Sequence, residues 1–326
     1  MSPLVAIVTL NWNGWEDTTE LIASLNKTTY DGILVIVVDN ASTNNSVARM
    51  KQSLIENKAS YSVVKGNSES PIEIVPINKH FLLVESETNL GFCAGNNLGM
   101  KWAVKMGAKY SLILNNDTLV SPDFLQPLIE IAENNDNVGL LGGVITYCEE
   151  PDIIWWAGGS FNRFLDSSRL LDRESIHELK QQKPFETEWV SGCMMMIPTH
   201  IYTRYGGYVE EYFIWSEEWD YSLMISRAGF KLIVVPQSRI CHKVGRSLGI
   251  MTPLNYYYGV RNGILLKRKY LPRRLWYLFL LYYLPNRLIR YTQLFLQRRG
   301  DLVHAGTAAV YDGLRGKSGK WQRQNG

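Results

Sequence analysis

Five short runs of apolar residues, separated by stretches with helical periodicity, constrain the fold of this 326-residue chain more than any other feature. The runs are almost continuously hydrophobic, which is typical of strands buried on both faces of a parallel sheet. They cover residues 4–10, 33–38, 81–84, 110–114 and 138–146. Helical stretches lie near 16–26, 44–55, 95–106 and 122–133, the last with Ser121 as a cap and Pro122 in its first turn. This alternation predicts a doubly wound α/β domain over residues 1–250, with a mostly parallel central sheet.

Residues 56–80 interrupt the alternation. They are polar and contain Gly66 and Pro71, so we interpret them as an inserted loop with one strand at 72–76. Their composition indicates no function.

Polar side chains follow two of the predicted strands. Asp39-Asn40-Ala41-Ser42 comes after the second strand, and Asn115-Asn116-Asp117 comes after the fourth. Since ligands of open α/β sheets gather at the carboxyl ends of the strands, these oxygen-bearing side chains suit a charged ligand and a hard cation. Asn and Asp are also ordinary turn residues after a strand, and for Asn115-Asn116-Asp117 alone that alternative is equally favoured. An acidic pair, Glu217–Glu218, and His242 are further candidates.

The four cysteines, Cys93, Cys148, Cys193 and Cys241, are far apart and form no Cys-x-x-Cys pair. We expect buried free thiols in preference to a zinc site or disulfides. The N-terminus runs directly into a strand pattern without a basic segment or a cleavage site, which predicts no signal peptide and fits a reducing cytoplasm.

The last quarter of the chain differs in charge from the rest. Residues 251–326 contain 14 Lys or Arg and 2 Asp or Glu, whereas residues 1–250 contain 20 basic and 29 acidic residues. A basic, aromatic-rich appendage of this kind meets an anionic partner, either nucleic acid or a membrane surface.

The hydrophobic pattern of this appendage favours a membrane surface. Leu275–Leu284 is entirely apolar or aromatic but is about half the length of a membrane span. After Pro285, Arg287 and Arg290 begin one predicted helix face and apolar residues, Leu294 among them, occupy the other. An amphipathic helix flanked by basic residues fits a membrane interface. A helix packed on the main domain with a solvated basic face is the alternative, and nucleic-acid binding is less favoured because the aromatic residues lie in apolar runs.

Five motifs in order resemble family-two glycosyltransferases, in particular the rhamnosyltransferase-like branch that builds bacterial surface polysaccharides. The motifs are residues 38–42, 89–97, 114–118 and 216–220, followed by His242, and the likeness extends into the tail at Arg261-Asn262. The resemblance implies the nucleotide-sugar-binding A-type (GT-A) fold, a divalent cation (Mg²⁺ or Mn²⁺) and inversion at the anomeric carbon.

The resemblance also assigns roles to individual residues. Asp117 and His242 are the expected metal ligands, with Asn115 where the family usually has Asp. The expected nucleotide-sugar contacts are Asn11, Asp39, Asn89, Gly91, Asn97, Asn116 and Asp117. The expected acceptor and sugar pocket comprises Trp156, Gly192, Cys193, Trp219 and Asp220.

The acidic pair supplies the expected catalytic base. An inverting transfer needs a carboxylate that takes the proton of the acceptor hydroxyl, and the second member of the pair, Glu218, matches the family's base. Glu217 is the alternative base, and a plain pair of helix N-terminal acids is the structural alternative. For Asp220 the residue pattern also allows a role in anchoring the helix that starts here.

The expected function is transfer of a sugar from a nucleotide-diphosphate sugar to a lipid-linked saccharide. Rhamnose is the sugar that the resemblance suggests. The expected location is the cytoplasmic face of the inner membrane, peripheral and without a transmembrane span. A sugar-1-phosphate nucleotidyltransferase is one alternative, although Asn11-Trp12-Asn13-Gly14 lacks the cationic phosphate loop that such an enzyme needs. A non-catalytic, membrane-docked glycan-binding protein is the other.

Overall fold

The computed structural model describes residues 2–66, 80–162, 167–170, 179, 183–244 and 251–322. The strands in this part of the chain are β1 (Val5–Asn11), β2 (Ile33–Asp39), β3 (Ser60–Lys65), β4 (His80–Glu85), β5 (Tyr110–Leu114), β6 (Thr118–Val120), β7 (Val138–Tyr147), β8 (Ile154–Trp156), β9 (Gly159–Asn162), β10 (Ser167–Leu170), β11 (Phe185–Glu186), β12 (Met194–Pro198) and β13 (Lys231–His242). The α-helices there are α1 (Trp15–Leu25), α2 (Ser46–Glu56), α3 (Gly91–Lys105), α4 (Leu125–Glu133), α5 (Thr199–Tyr205), α6 (Glu217–Arg227), α7 (Pro253–Tyr270), α8 (Arg273–Leu296) and α9 (Gly300–Arg315).

One large sheet organises the main domain. Its principal order is β11-β13-β7-β12-β5-β1-β2-β4-β3, with β6 beside β13 and β8 beside β7. All pairs from β5 through β1, β2 and β4 to β3 are parallel, whereas β12 is antiparallel to both β5 and β7. The parallel pairing places the carboxyl ends of β1, β2 and β5 at one edge, as the sequence pattern predicted.

The predicted strands are confirmed, and their burial explains why they are continuously apolar. Every residue of β2 and β5 is buried. A strand that is buried throughout has both faces covered, so neither face tolerates a regular polar alternation.

Two predicted helix starts and the inserted loop need correction. α3 begins at Gly91, four residues before the prediction, because Gly91 adopts a φ of +80° beside the Phe213 ring and the Gly-rich segment forms the first helical turn. α4 begins at Leu125, because residues 122–123 form a turn, and Ser121 is not its cap. Within 56–80 the structure has β3, which pairs with β4 and is mostly half-buried, so its sequence looks polar. The strand predicted at 72–76 lies outside the described residues.

The cysteines correct another expectation. Cys93 and Cys193 are free and buried, as predicted, but Cys148 and Cys241 form a disulfide with their Cα atoms 4.8 Å apart. They are 93 residues apart in sequence, and the parallel pairing of β7 with β13 brings them together. Spacing along the chain does not reveal such a pair.

The tail forms three helices, α7, α8 and α9, around a small apolar cluster. That cluster contains Tyr257, Tyr258, Val260, Ile264, Phe279, Tyr283, Ala305 and Ala309. α8 continues through Pro285 as a single helix of 24 residues. Among the described residues, no helix combines the length and the apolar character required to cross a membrane.

Candidate active site

A buried polar network occupies the carboxyl ends of β1 and β2. Asn11 lies opposite Asp39 in the parallel pair, and its Nδ2 donates to Asp39 Oδ1 (2.7 Å) and to Ser42 Oγ (3.1 Å). The Ser42 backbone N–H and hydroxyl donate to the two Asp39 oxygens (3.0 and 2.6 Å), and the Thr18 hydroxyl donates to Asn11 Oδ1 (2.9 Å). The structure thus brings Asn11 and Asp39 together and adds Thr18 and Ser42 to the site.

Asn116 extends the network to β5. Its Nδ2 donates to Thr18 Oγ1 (3.0 Å) and to the Gly14 carbonyl (3.3 Å). The backbone of Asn115 is also fixed, since its N–H donates to the Cys193 carbonyl (3.0 Å). The segment between β5 and β6 therefore presents Asp117 in a defined place.

Asp117 and His242 form a buried pair at the junction of β6 and β13. These strands are antiparallel, with His242 opposite Thr118, and His242 Nε2 lies 3.1 Å from Asp117 Oδ1. Trp155 stands edge-on to the imidazole, with the ring centroids 4.7 Å apart. His242 Nδ1 is buried and has no hydrogen-bond partner among the described residues.

Trp155, and not Trp156, is the aromatic residue of this site. Trp156 was predicted in the acceptor pocket, but it is buried against Trp189 and beside Gly142. Successive residues of β8 point to opposite faces, so only one of two adjacent tryptophans reaches the site. The Trp-Trp pair and the strand period were the available signals, but they do not say which face is the core.

The two glutamates begin α6. Glu218 Oε2 accepts a hydrogen bond from the Gly192 N–H (2.5 Å), and Glu217 Oε2 lies 3.9 Å from Cys93 Sγ. Burial and, to a smaller extent, the nearby charge of Glu218 raise the pKa of Glu217 to about 8. Burial also raises the pKa of Glu218, to about 7, against the lowering effect of the Gly192 hydrogen bond. Near neutral pH, Glu218 is the member of the pair more readily available as a base.

Cys193 connects the acid pair with the Asp117–His242 pair. It is buried and lies directly before the first residue of β12. Burial raises the pKa of its thiol, and the charges of Asp117 and Glu218 raise it further. Both carboxylates therefore lie close enough to affect the same thiol, beside the predicted floor residues Gly192 and Cys193.

Asn97 is a structural crosslink in this fold, and its predicted contact with the nucleotide stays a prediction. Its Nδ2 donates to the Tyr208 carbonyl (2.8 Å) and to Glu210 (3.0 Å), and its Oδ1 accepts from the Tyr208 N–H (2.9 Å). These three hydrogen bonds hold the segment before the acid pair.

Asn89 and Gly91 build the start of α3 beside the end of β2. Asn40 Nδ2 donates to Asn89 Oδ1 (3.1 Å) and to the Gly91 carbonyl (3.2 Å). Asn40 is the missed residue here, although it follows Asp39 directly. Contact of Asn89 and Gly91 with a nucleotide stays a prediction.

Asp220 anchors α6, and its predicted place in the acceptor pocket stays a prediction. Both of its carboxylate oxygens accept from Lys269 Nζ at 2.8 Å, and Asp220 is buried. The alternative that Asp220 anchors its helix therefore describes it better. Trp219 is half-buried and packs edge-on to Trp189, 6.2 Å between centroids.

The residues present fit a divalent cation that takes some of its ligands from the protein and the others from a bound phosphate and water. Among the described residues, no group of three or more His, Cys, Asp or Glu side chains forms a complete cage. Mg²⁺ typically takes one or two carboxylates from the protein and completes its shell with water and substrate phosphates. Asp117 and His242 form a partial set of this kind, and Asn115 lies two residues before Asp117 in the same turn.

Comparisons with known proteins give a consistent picture. The family model described as "Glycosyl transferase family 2" matches residues 5–198. A dTDP-rhamnosyl transferase, RfbF, from Shigella flexneri is 23% identical over 189 residues, which cover 56% of this chain and 61% of that protein. The chain thus spans less than two thirds of this relative. An N-acetylglucosaminyl-diphospho-decaprenol L-rhamnosyltransferase from Mycobacterium tuberculosis is 20% identical over 76% of this chain and 79% of its own length.

A solved structure supports the fold. The mannosyltransferase PcManGT from Pyrobaculum calidifontis, in complex with GDP-Man and Mn²⁺, aligns with a TM-score of 0.57 at 13% identity. The alignment covers 97% of this chain and 88% of that one. The expected GT-A fold is confirmed.

Proposed function

The chain belongs to glycosyl transferase family 2, and on that premise we propose that it transfers a sugar from a nucleotide-diphosphate donor to a lipid-linked saccharide, with inversion. The observation that supports the proposal is a link through two adjacent residues: Glu218 accepts a hydrogen bond from the Gly192 N–H (2.5 Å), and the N–H of Asn115, two residues before Asp117, donates to the Cys193 carbonyl (3.0 Å). A base for the acceptor and a cation site for the donor diphosphate then face one cleft.

In this reaction the acceptor hydroxyl oxygen attacks the anomeric carbon while the bond from that carbon to the diphosphate breaks. The electron pair of that bond leaves with the nucleoside diphosphate, and Glu218 takes the hydroxyl proton. Asp117 and His242 would hold a divalent cation, which would neutralise the negative charge that grows on the diphosphate. Asn11, Asp39 and Asn116 line the donor side of the cleft.

Glu218 suits the base better than Glu217 does. Its Oε2 is fixed by the Gly192 N–H, which leaves Oε1 for the acceptor hydroxyl. A pKa of about 7 lies close to the operating pH, where a general base is most effective. Glu217, more deeply buried and with the higher pKa, is protonated at neutral pH.

Rhamnose is the first candidate sugar, because both relatives described above are named as rhamnosyl transferases. A polyprenyl-diphosphate-linked saccharide is the first candidate acceptor, because the mycobacterial relative is named for such a lipid.

The direct test is turnover of nucleotide sugars, dTDP-rhamnose first, with and without Mn²⁺ or Mg²⁺ and a polyprenyl-linked acceptor. We expect metal-dependent release of the nucleoside diphosphate together with a glycosylated acceptor. Pyrophosphate release from a nucleoside triphosphate and a sugar phosphate would identify a nucleotidyltransferase instead. Donor binding without turnover across the panel would identify a non-catalytic binding protein.

We further propose that α8 docks the protein on an anionic membrane surface, at the cytoplasmic face of the inner membrane. Its solvent-facing side is apolar, with Leu281, Phe295 and Leu296 at 73%, 71% and 76% exposure. The other exposed apolar residues of this face are Leu275, Tyr277, Leu278, Tyr282, Leu284, Leu288 and Ile289. Exposed Arg273, Arg274 and Arg298 lie at its two ends, where they can meet lipid phosphates.

Two residues of α8 lie differently from the predicted division into a basic and an apolar face. Leu294 is buried, and Arg287 turns inward, with its guanidinium 4.7 Å from the Tyr283 ring centroid. The face open to solvent is therefore apolar rather than basic, which the packed-helix alternative does not explain. A contiguous exposed apolar face marks an interaction surface, and its basic ends favour an anionic lipid interface over a second apolar protein surface.

Flotation with anionic vesicles tests this surface. We expect wild-type protein to bind and to be partly released by high salt, and the variant Leu281→Gln/Leu288→Gln/Phe295→Gln to stay in solution. Ile55→Gln/Val63→Gln is the matched control, because these exposed apolar residues lie on α2 and β3. Equal flotation of wild type and the α8 variant, or none with either, would contradict the proposal.

A further inference from the structure

The segment that leads into the acid pair has an unusual backbone. Phe213, Trp215 and Ser216 have φ values of +66°, +73° and +71°. Residues other than glycine rarely adopt positive φ values, and they keep them only where the surrounding structure holds them. Something outside the segment must therefore keep residues 212–216 in place.

Asn262 of α7 is the centre of that support. It is fully buried, and its Nδ2 group meets the carbonyl oxygens of Tyr212 (3.0 Å), Ile214 (2.7 Å) and Trp215 (2.8 Å). One amide thus gathers three carbonyls from four consecutive residues. Its position fixes the course of the backbone immediately before Ser216.

Arg261 orients this amide. Its Nε donates to Asn262 Oδ1 (2.9 Å), and because arginine can only donate, Nδ2 must face the carbonyls. Its Nη2 donates to the Tyr212 carbonyl (2.9 Å), and its guanidinium lies over the rings of Tyr257 (5.3 Å) and Tyr258 (4.9 Å). The arginine is itself buried and cannot swing away without leaving these contacts.

The supported segment sets where α6 begins. The Asp220 N–H donates to the Ser216 carbonyl (3.0 Å), so the first turn of α6, with Glu217 and Glu218, starts from residue 216. The hydrogen bond from Gly192 then requires Glu218 to be placed within a few tenths of an ångström.

We propose that Arg261 and Asn262 are positioning residues for the reaction: they hold residues 212–216 in place, with Phe213, Trp215 and Ser216 at positive φ, and so place Glu218 against Gly192. This makes α7, in the tail, part of the catalytic apparatus. The proposal rests on the proposed function only in assigning the base to Glu218.

Asn262→Asp is the sharpest test, because aspartate keeps the shape and the contact with Arg261 but cannot donate to the three carbonyls. Assayed well below its melting temperature, the variant should lose about 10²-fold in kcat, the cost of a displaced catalytic group, with unchanged donor affinity. The rise of kcat with pH should also move to lower pH. A less tightly held Glu218 is better hydrated, which lowers its pKa. Arg268→Ala is the control, since Arg268 lies on the same helix but donates to the Leu314 carbonyl of α9 (3.3 Å).

A rescue separates positioning from general destabilisation. Glycine adopts a φ of +71° without strain, so Ser216→Gly added to Asn262→Asp should restore part of kcat at the same low temperature. If Asn262→Asp does not fold, Arg261→Lys replaces it, because lysine keeps the charge but loses the Nε contact. Wild-type kcat in the folded variant, or no rescue by Ser216→Gly, would overturn the proposal. An inactive wild-type enzyme would instead overturn the proposed function.

Discussion

The two sides of the proposed active site, the donor side and the acid side, are held in place by different means. On the donor side, Asn11 and Asp39 stand at the ends of parallel strands and bond to each other and to Ser42, and Thr18 connects Asn11 with Asn116. On the acid side, Glu217 and Glu218 follow a strained segment whose support comes from α7, more than forty residues later in the chain. Strand register positions the donor side, and long-range packing positions the acid side.

This difference has a consequence for how each side responds to substitution. Changes on the donor side should act mainly on binding, because neighbouring hydrogen bonds preserve the site. Changes on the acid side should act on turnover, because a base must meet one proton in one geometry.

The largest effect should come from Glu218→Gln, which keeps the size of the side chain but removes proton acceptance. We expect kcat to fall by ~10²–10⁴, the usual contribution of a general base, with little change in donor affinity. Glu130→Gln, on the exposed face of α4, is the matched control. If Glu217→Gln is the inactive variant and Glu218→Gln is not, the two roles are reversed.

Asp117→Ala and His242→Ala should have the next largest effect, because they lie where the two sides meet. Loss of one group that stabilises developing charge costs about 10²–10³ in kcat. Calorimetric titration with Mn²⁺ in the presence of the nucleotide should show that metal-dependent donor binding is also lost. Asp123→Ala, an exposed change, should titrate like wild type, and a wild-type titration in either test variant removes that residue from the metal site.

The pH dependence distinguishes the sides further. Since Glu218 must be deprotonated to act, kcat should rise about tenfold per pH unit up to about pH 7 and then level, and Glu218→Gln should lack this limb. The folded-state pKa values of Glu217 and Glu218 are raised, so the folded protein binds more protons than the unfolded chain between the ordinary glutamate pKa and about pH 8.

Stability should therefore be greatest at the acidic end of that window and should fall as the pH rises through it. Denaturant unfolding at pH 5 and pH 8 measures this change. Glu217→Gln should flatten the dependence, whereas Glu130→Gln should leave it as in wild type. A rise of kcat centred at pH 4–5 would show that the pKa of the titrating base is not raised.

The smallest effect should come from Asp39→Asn on the donor side. Losing a charged hydrogen-bond acceptor should weaken donor binding about tenfold while kcat at saturating donor stays near wild type. Ser42→Ala, which removes a neighbour of Asp39 but keeps its carboxylate, should weaken binding less. A fall in kcat without a change in affinity would place Asp39 on the acid side of the comparison.

The donor side could be predicted from sequence because its signals are local. An apolar run predicts a buried strand, and the polar residues that follow it, Asp39 or Asn115-Asn116-Asp117, mark the edge of the sheet where that strand ends. His242, for which the resemblance gave the role, is the last residue of β13. Its pairing with Asp117 followed from the resemblance and is present in the structure.

Sequence alone therefore determined the order of strands and helices, the sheet edge that carries the polar residues, and the acid pair. Periodicity and strand ends are properties of a few neighbouring residues, which is why they can be read along the chain. Tertiary structure decided which of Trp155 and Trp156 faces the site, that Asn97 and Asp220 are structural crosslinks, and that Cys148 meets Cys241. It also decided that the apolar face of α8 is exposed and that Asn262 supports the segment before Glu217. Each of these depends on a partner distant in sequence, and only the packing of the folded chain specifies that partner.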